Sequence, residues 1–357
     1  MEGVSQFLLQ VSRLDPPSAP PWPPKCGNCN GPVVPPGKPL FIALETTGAG
    51  DAVADLKASA DAFDEAIRPA MGFRIDEIAR HTPISAPSFV HPEDRKKMEA
   101  AMPHKAIVKP LKARKLLVVD VTPNAYYHAT TANGNLAVEL MAKYTDAFQA
   151  TFSNDLDNLK YPKIKEFDAV FLNGIGGGEV FVDPDVLNGL MRFVREGGGV
   201  AGLHGSTYAS GDLPEYGEMM GGTSGNHRCC ETATVKLEDP DSPLTKPFGG
   251  KGFAWTDEFY HFPDSGPFTR EKEHVLLSVD ASKSDLSEWQ GIRADNNYPD
   301  SWIRSYGKGR VFNLAFGHTP VLFETPAFCE YVLGGLQFVL GDLKADTTPT
   351  AKLPAKK

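Results

Sequence analysis

His204 stands in the run GGGVAGLHGST (residues 197–207), where glycines lead through small apolar residues into a sharp turn. In α/β enzymes that shape carries a serine or cysteine nucleophile at its tip. An imidazole at the tip offers other chemistry: a proton acceptor, or a metal ligand, near neutral pH. Residues of similar capability recur along the chain. His128 follows Tyr126 and Tyr127 in PNAYYHATT, His227 ends GGTSGNH, and His318 stands in LAFGHTP. TDEFYHF supplies Asp257, Glu258, Tyr260 and His261. Neutral imidazoles with a carboxylate suit zinc, manganese or iron, so His128, His204, His227 and His318 form a candidate metal set. No His-x-x-x-His spacing occurs among them, so each ligand would come from a different loop. Without a metal, His204 is the candidate base, and Glu258 or Tyr260 the acid. Asp257 and Glu258 are neighbours in a strand and face opposite ways, so at most one enters a shared pocket.

These residues need elements that bring them together, and the sequence supplies a pattern for it. KLLVVDVT (115–122), FDAVFLN (167–173) and GVAGLH read as short buried strands. Between them, NGNLAVELMAKYTDAF reads as a helix with Asn133 as its cap. DPDVLNGLMRFVREGGG reads as another, with Asp183 at the cap, Pro184 in the first turn and glycines at the stop. Buried strands alternating with amphipathic helices indicate a parallel sheet covered on both faces. The later half is richer in strands (TATVKLED, FAWTDEFYHF, HVLLSVD, SWIRSYG, RVFNLAF) and closes with the helix PAFCEYVLGGLQFVLGD. The expectation is an α/β fold, a flavodoxin-like doubly wound parallel sheet with a strand-rich extension. Ligands of such sheets bind at the carboxyl ends of the strands. The histidines named above fall there or in the loops that follow.

Five further residues, Tyr126, Tyr127, Ser206, Tyr208 and Gly176, belong to the candidate substrate surface. Tyr126, Tyr127 and Tyr208 could stack on pyranose faces, as could Trp302, for which core packing is an equal reading. Ser206 adds a hydroxyl next to the elbow. The loop NGIGGGEVF, with Gly176 at its centre, misses the G-x-G-x-x-G spacing and the Lys-Ser/Thr ending of phosphate loops. Its following helix begins at the acidic Asp183, so no nucleotide is expected, and closure over a neutral polar ligand fits better. His81, His91, His104 and His274 lack comparable settings and read as structural or surface residues.

Composition narrows the class. The chain has 357 residues, 41% of them hydrophobic and 23% charged, which describes a globular protein with room for an appendage. A formal charge of −9 argues against nucleic acid or an acidic membrane surface as partner. No apolar run reaches the length of about 18–20 residues that spans a bilayer, and the first residues lack a cationic leader. Five scattered cysteines are not a disulfide framework, so a reducing cytoplasm is the expected location. Ten prolines between residues 16 and 39 make residues 1–50 an extended arm, within which Cys26 and Cys29 are either free thiols, half a metal site or a redox pair. Residues 51–113 read as a helical segment (51–68, with Val53, Leu56, Ala60 and Phe63 on one face), a second short helix EDRKKMEAAM, and a linker. Residues 114–342 form the α/β domain and 343–357 a disordered tail. The arm could dock on a partner or a second subunit, so a homo-oligomer is an expectation.

Five stretches occur in the order of one known family. GGGVAGLHGST, PEYGEMMGG before a histidine, VKLEDPDSPLTKPF, TDEFYHF and SWIRSYGKGRVFNLAFGHT resemble the ThuA-like (trehalose utilisation) family over about residues 114–342. The resemblance implies a class I glutamine amidotransferase-like fold and a role in carbohydrate metabolism, on disaccharides and their keto-sugar derivatives. It matches His128 to the histidine after the first strand, His204 to the elbow and His227 to the histidine after the Gly-Gly segment. Asp257, Glu258 and Tyr260 match the Asp-Glu-x-Tyr run, and His318 the Gly-His-Thr segment. The chain departs from the pattern at His227-Arg228-Cys229, where His-Pro is expected. Amidotransferases hold a cysteine in Gly-x-Cys-x-Gly, whose thiolate attacks a glutamine amide. Here Gly202-Leu203-His204-Gly205-Ser206 takes its place, which excludes glutamine hydrolysis by that route. The resulting expectation is an enzyme acting on a sugar or keto-sugar by histidine acid–base chemistry, with or without a divalent metal. A non-catalytic sugar-binding or sensing module is the alternative.

Overall fold

A computed structural model describes residues 84–85, 90–121, 128, 130–175, 178–210, 213–225, 227, 231–287, 289 and 293–354. The arm with its Cys-x-x-Cys pair, the expected helix at 51–68, His81, Tyr126, Tyr127, Gly176, Cys229 and Cys230 lie outside the described residues.

Among the described residues, nine strands form one mixed sheet: β1 (Lys115–Val119), β2 (Gln149–Phe152), β3 (Ala169–Asn173), β4 (Gly199–Leu203), β5 (Glu231–Leu237), β6 (Phe253–Asp257), β7 (His274–Val279), β8 (Pro299–Tyr306) and β9 (Gly309–Leu314). Their order is β2-β1-β3-β4-β9-β8-β7-β5-β6. The first five are parallel, in register through Leu117↔Val170, Phe171↔Ala201 and Ala201↔Phe312. The last four pair antiparallel, each with its neighbour. Two reversals therefore leave β7, and four leave β6, running in the same direction as β9, so their carboxyl ends reach the rim that β1, β3, β4 and β9 share.

The apolar strands need cover on both faces, and alternate residues show which helices give it. Leu116, Val118, Phe171, Ala201 and Phe312 pack with α2 (Thr130–Thr145) and α6 (Pro326–Val339). Leu117, Val119, Val170, Val200 and Val311 pack on the other face with α3 (Pro184–Glu196) and α4 (Pro214–Met220). The helix α1 (Pro92–Ala101) adds Met98 and Ala101 to the α2 side. A four-residue helix, α5 (Val321–Glu324), links β9's loop to α6.

Most elements follow their sequence signals, with informative exceptions. α3 starts at the expected cap, where the Asp183 side chain accepts from the Asp185 N–H. It stops at Gly197, whose φ of 125° suits glycine. α2 begins at Thr130, three residues ahead of the expected cap Asn133. Asn133 lies inside the first turn, buried, with its Nδ2 donating to the Met98 sulfur at 3.4 Å. Thr130 is the first helical residue, and its hydroxyl donates to Gly317 O instead of capping the turn. The edge strand β2 went unread because its burial alternates between exposed and half-buried, leaving little apolar signal. β6 ends at Asp257, so Glu258, Tyr260 and His261 lie beyond the strand in a loop.

The segment after α6, which composition reads as a solvated tail, is bonded to the chain at the start of β7. The Thr350 N–H donates to Glu273 O at 3.0 Å, the Ala351 N–H to Arg270 O at 2.9 Å, and the Val275 N–H to Thr350 Oγ1 at 2.8 Å.

Candidate active site

β4 delivers His204 to the rim in a strained conformation. Its φ of 49° is uncommon for a residue with a Cβ and marks the sharp elbow expected from the glycines. The glycines on either side leave little room: a Cβ on Gly202 would meet the Ser206 and Met220 side chains, and one on Gly205 would lie 3.1 Å from Ile175 O. The His204 Nδ1 lies 3.0 Å from Ala315 O. A carbonyl only accepts, so Nδ1 carries the proton and Nε2 presents a lone pair. Three groups surround that lone pair: His128 Nε2 at 3.2 Å, Tyr260 Oη at 3.3 Å and Glu258 Oε2 at 3.4 Å. Burial, only partly opposed by the Glu258 charge, draws the His204 pKa down to about 4, so it is neutral at pH 7.

Glu258 is the hub. Its Oε1 lies 3.2 Å from His318 Nδ1, and its Oε2 lies 3.4 Å from both His204 Nε2 and His227 Nε2. Burial alone would raise its pKa, but the His318 hydrogen bond and the surrounding imidazoles outweigh that and leave it below the ordinary carboxylate value. His318 shows the reciprocal shift: burial pulls it down, and its bond to Glu258 with the carboxylate charges lifts it above the usual value. Tyr260 is held protonated, its pKa raised first by burial and then by the charges of Glu258 and Asp257.

Asp257 stands behind this cluster. Its carboxylate accepts from the Gly317 N–H at 3.2 Å, the His318 N–H at 3.0 Å, the Glu258 N–H at 2.8 Å and Trp255 Nε1 at 3.2 Å. It thereby pins the loop that carries His318, and burial raises its own pKa to about 6. Of the two adjacent carboxylates, Glu258 faces the histidines and Asp257 holds the backbone.

Four of the sequence-derived residues come together closely. One donor atom from each of His128, His204, Glu258 and His318 lies within 4.8 Å of every other, a set able to hold a cation. His227 stands one step outside, beside Glu258 and 29% exposed, with its ring 4.7 Å from that of Tyr260 and 6.2 Å from that of Tyr208. Tyr208 is 49% exposed, and ring contacts run from it through His227 and Tyr260 to His204. Ser206 does not join them: it is buried and its hydroxyl donates to Asn313 Oδ1 at 3.2 Å. Trp302 is core, its Nε1 donating to Met220 O at 2.9 Å. His91 caps α1, His104 stacks on Tyr144, and His274 sits buried between Asp239 and Thr348 O.

Two contributors carried no clear signal in the sequence. The Thr130 hydroxyl donates to Gly317 O at 2.9 Å, tying the first turn of α2 to the His318 loop, and Ala315 O fixes the His204 tautomer. Thr130 lies two residues after His128, so proximity to a candidate ligand was its only marker.

The fold and site together define an α/β protein with a mixed nine-stranded sheet and a histidine–carboxylate cluster at its carboxyl rim. Residues 115–339 match the family ThuA, trehalose utilisation, and the chain belongs to that family. Solved structures of the same fold include a ThuA-like protein from Bacteroides uniformis, 19% identical with a TM-score of 0.53. It covers 68% of this chain and 98% of its own. A ThuA-like protein from Parabacteroides merdae is 14% identical with a TM-score of 0.51, covering 68% of this chain and 100% of its own. No curated protein matches the sequence. Among the described residues, no helix is long and apolar enough to cross a membrane.

Proposed function

We propose that this protein is an enzyme of carbohydrate metabolism acting on a sugar or keto-sugar derivative through histidine acid–base chemistry at the His204 elbow. The observation that carries the reading is the oriented lone pair of His204. Its Nδ1–H is committed to Ala315 O, and its Nε2 faces a site with a phenol at 3.3 Å and a carboxylate at 3.4 Å. A proton next to a keto group needs a positioned acceptor and a donor for the developing oxyanion, and His204 with Tyr260 supplies that pair. The half-exposed Tyr208 offers an aromatic face to a pyranose ring at the mouth. The family description, trehalose utilisation, supports a disaccharide-derived substrate.

Glutamine amide hydrolysis does not fit this elbow, because an imidazole stands where the thiolate nucleophile would be. The strand order 2-1-3-4 followed by β9 supports the flavodoxin-like description of the parallel half. A cytoplasmic location fits the cysteine usage. The alternative, a sugar-binding or sensing module, is favoured by one feature: the line of ring contacts from Tyr208 inward would serve binding alone equally well.

Turnover and affinity measured side by side separate the two. Trehalose, related disaccharides and their keto derivatives are incubated with the protein and with His204→Ala. An enzyme consumes at least one of them, and the variant loses about 100- to 10,000-fold in rate while retaining binding. A binding module converts none of them, and the variant only weakens affinity.

A further inference from the structure

We propose that His128, His204, His318 and Glu258 form the binding site of one divalent first-row transition-metal ion, zinc foremost. This does not rest on the acid–base reading: it gives the His204 Nε2 lone pair to an ion instead of to a substrate proton.

The spacing of the donor atoms is the first support. Four ligands at about 2.0–2.1 Å in a tetrahedron have edges of roughly 3.3–3.4 Å. In the cluster His128 Nε2 lies 3.2 Å from His204 Nε2, which lies 3.4 Å from Glu258 Oε2, while His318 Nδ1 lies 3.2 Å from the other carboxylate oxygen, Oε1, so the first two distances are edges of one four-atom set. No two of the four donor atoms are more than 4.8 Å apart. A point at their centre therefore lies within about 3 Å of each, and bonds of about 2.1 Å follow from shifts of an ångström or less.

Crowding around one lone pair is the second. His204 Nε2 has no proton to give, since Nδ1 donates to Ala315 O. His128, Tyr260 and Glu258 nevertheless all converge on it, and a carboxylate oxygen has nothing to donate to it. Glu258 Oε2 is buried and makes no hydrogen bond. A cation among these atoms satisfies the lone pair and the unbonded Glu258 Oε2 at once, whereas a proton from Tyr260 or His128 answers only the lone pair.

The surroundings match what metal-bound histidines require. A ligating imidazole donates its other N–H to a carbonyl or carboxylate, as His204 does to Ala315 O. Asp257 fixes the loop carrying His318 through the Gly317 and His318 N–H groups, and Thr130 ties that loop to the turn after His128. Three nitrogens and one carboxylate favour zinc, iron or manganese over magnesium and calcium, which take oxygen ligands. His204, His318 and Glu258 are buried and His128 is part-exposed, so the accessible side of the ion faces His128 and His227. A water, a keto oxygen or a sugar hydroxyl would bind there.

Metal content of the full-length, tag-free protein by mass spectrometry tests this, followed by calorimetric titration of the chelator-stripped protein with Zn²⁺, Mn²⁺ and Fe²⁺. Glu258→Gln and His318→Ala are compared with His227→Ala, with circular dichroism confirming that each is folded. The expected result is about one equivalent bound, a loss of more than about 100-fold in affinity for the first two, and stoichiometry retained in His227→Ala. Glu258→Gln preserves shape, so a folded variant without the ion isolates the ligand's role. Failure of the stripped protein to bind any of the three ions would overturn the proposal. So would binding unchanged in both Glu258→Gln and His318→Ala, which would place the ion elsewhere, such as at Cys26 and Cys29. Neither readout uses turnover, so a failed metal site and a failed acid–base reading remain distinguishable.

Discussion

At the residue scale, two adjacent acids, Asp257 and Glu258, act differently because they touch different things. Glu258 meets three imidazoles, whereas Asp257 meets three backbone N–H groups and an indole. Asp257→Asn places an amide where only an acceptor fits. Its effect is expected through His318: lower turnover and lower thermal stability together, unlike Glu258→Gln, which should keep its fold. Comparing melting temperature with turnover in both variants checks this, and equal stability of the two would contradict it. The elbow histidine was legible because glycines before and after it announce a tight turn. The tautomer was not, since it depends on Ala315, 111 residues away.

At the scale of elements, the site exists because the antiparallel extension turns back toward the parallel half. Phe248, Phe253 and Trp255 of the extension pack on Phe328 of α6, at ring separations of 5.1, 5.5 and 4.4 Å. That cluster brings the end of β6 over the loop after β9. Phe328→Ala is expected to destabilise the fold by about 3–5 kcal/mol, measurable by denaturant unfolding. The same extension holds Glu238, just after β5, against Arg270 and Ser278. Burial would raise the Glu238 pKa, but those bonds and Lys236 take it from 4.5 to about 2. A carboxyl with a depressed folded pKa stabilises the fold fully above its unfolded value. That contribution, up to about 3 kcal/mol, is lost as pH falls from about 4.5 toward 2. Glu238→Gln should flatten this part of the stability profile, and an unchanged acid limb would contradict the assignment. The apolar runs of β1, β3 and β4 and the caps of α3 made the parallel half readable. The path of the extension was not, because aromatic contacts between residues about 75 apart in sequence set it.

At the scale of the whole molecule, segments flanking the family-matched region brace it. Val108 pairs both its backbone groups with the Gln337 side chain, and Arg114 binds Asp342 and Asp168. Residues 346–353 close the other side, with Thr348 O bonded to the buried His274 and Thr350 bonded at β7. Truncation after Leu343 is therefore expected to lower the melting temperature by several degrees while leaving the histidine site intact. At about 2–4 °C per kcal/mol for domains of 150–250 residues, the shift is readable by scanning calorimetry. A truncated chain as stable as the full one would show that this segment braces nothing. Composition hid its role because its lysines and prolines read as solvated.

The chemistry of the site turns on an elbow histidine that presents an unprotonated Nε2. Nitrogen-15 NMR of histidine-labelled protein, with His204→Gln to assign the signal, measures this directly. The expected result for chelator-stripped protein is a His204 ring protonated at Nδ1 and unprotonated at Nε2 at neutral pH, keeping that state down to about pH 5, consistent with a pKa near 4. A ring protonated at Nε2, or one that titrates near 6.5 like an exposed imidazole, would contradict it.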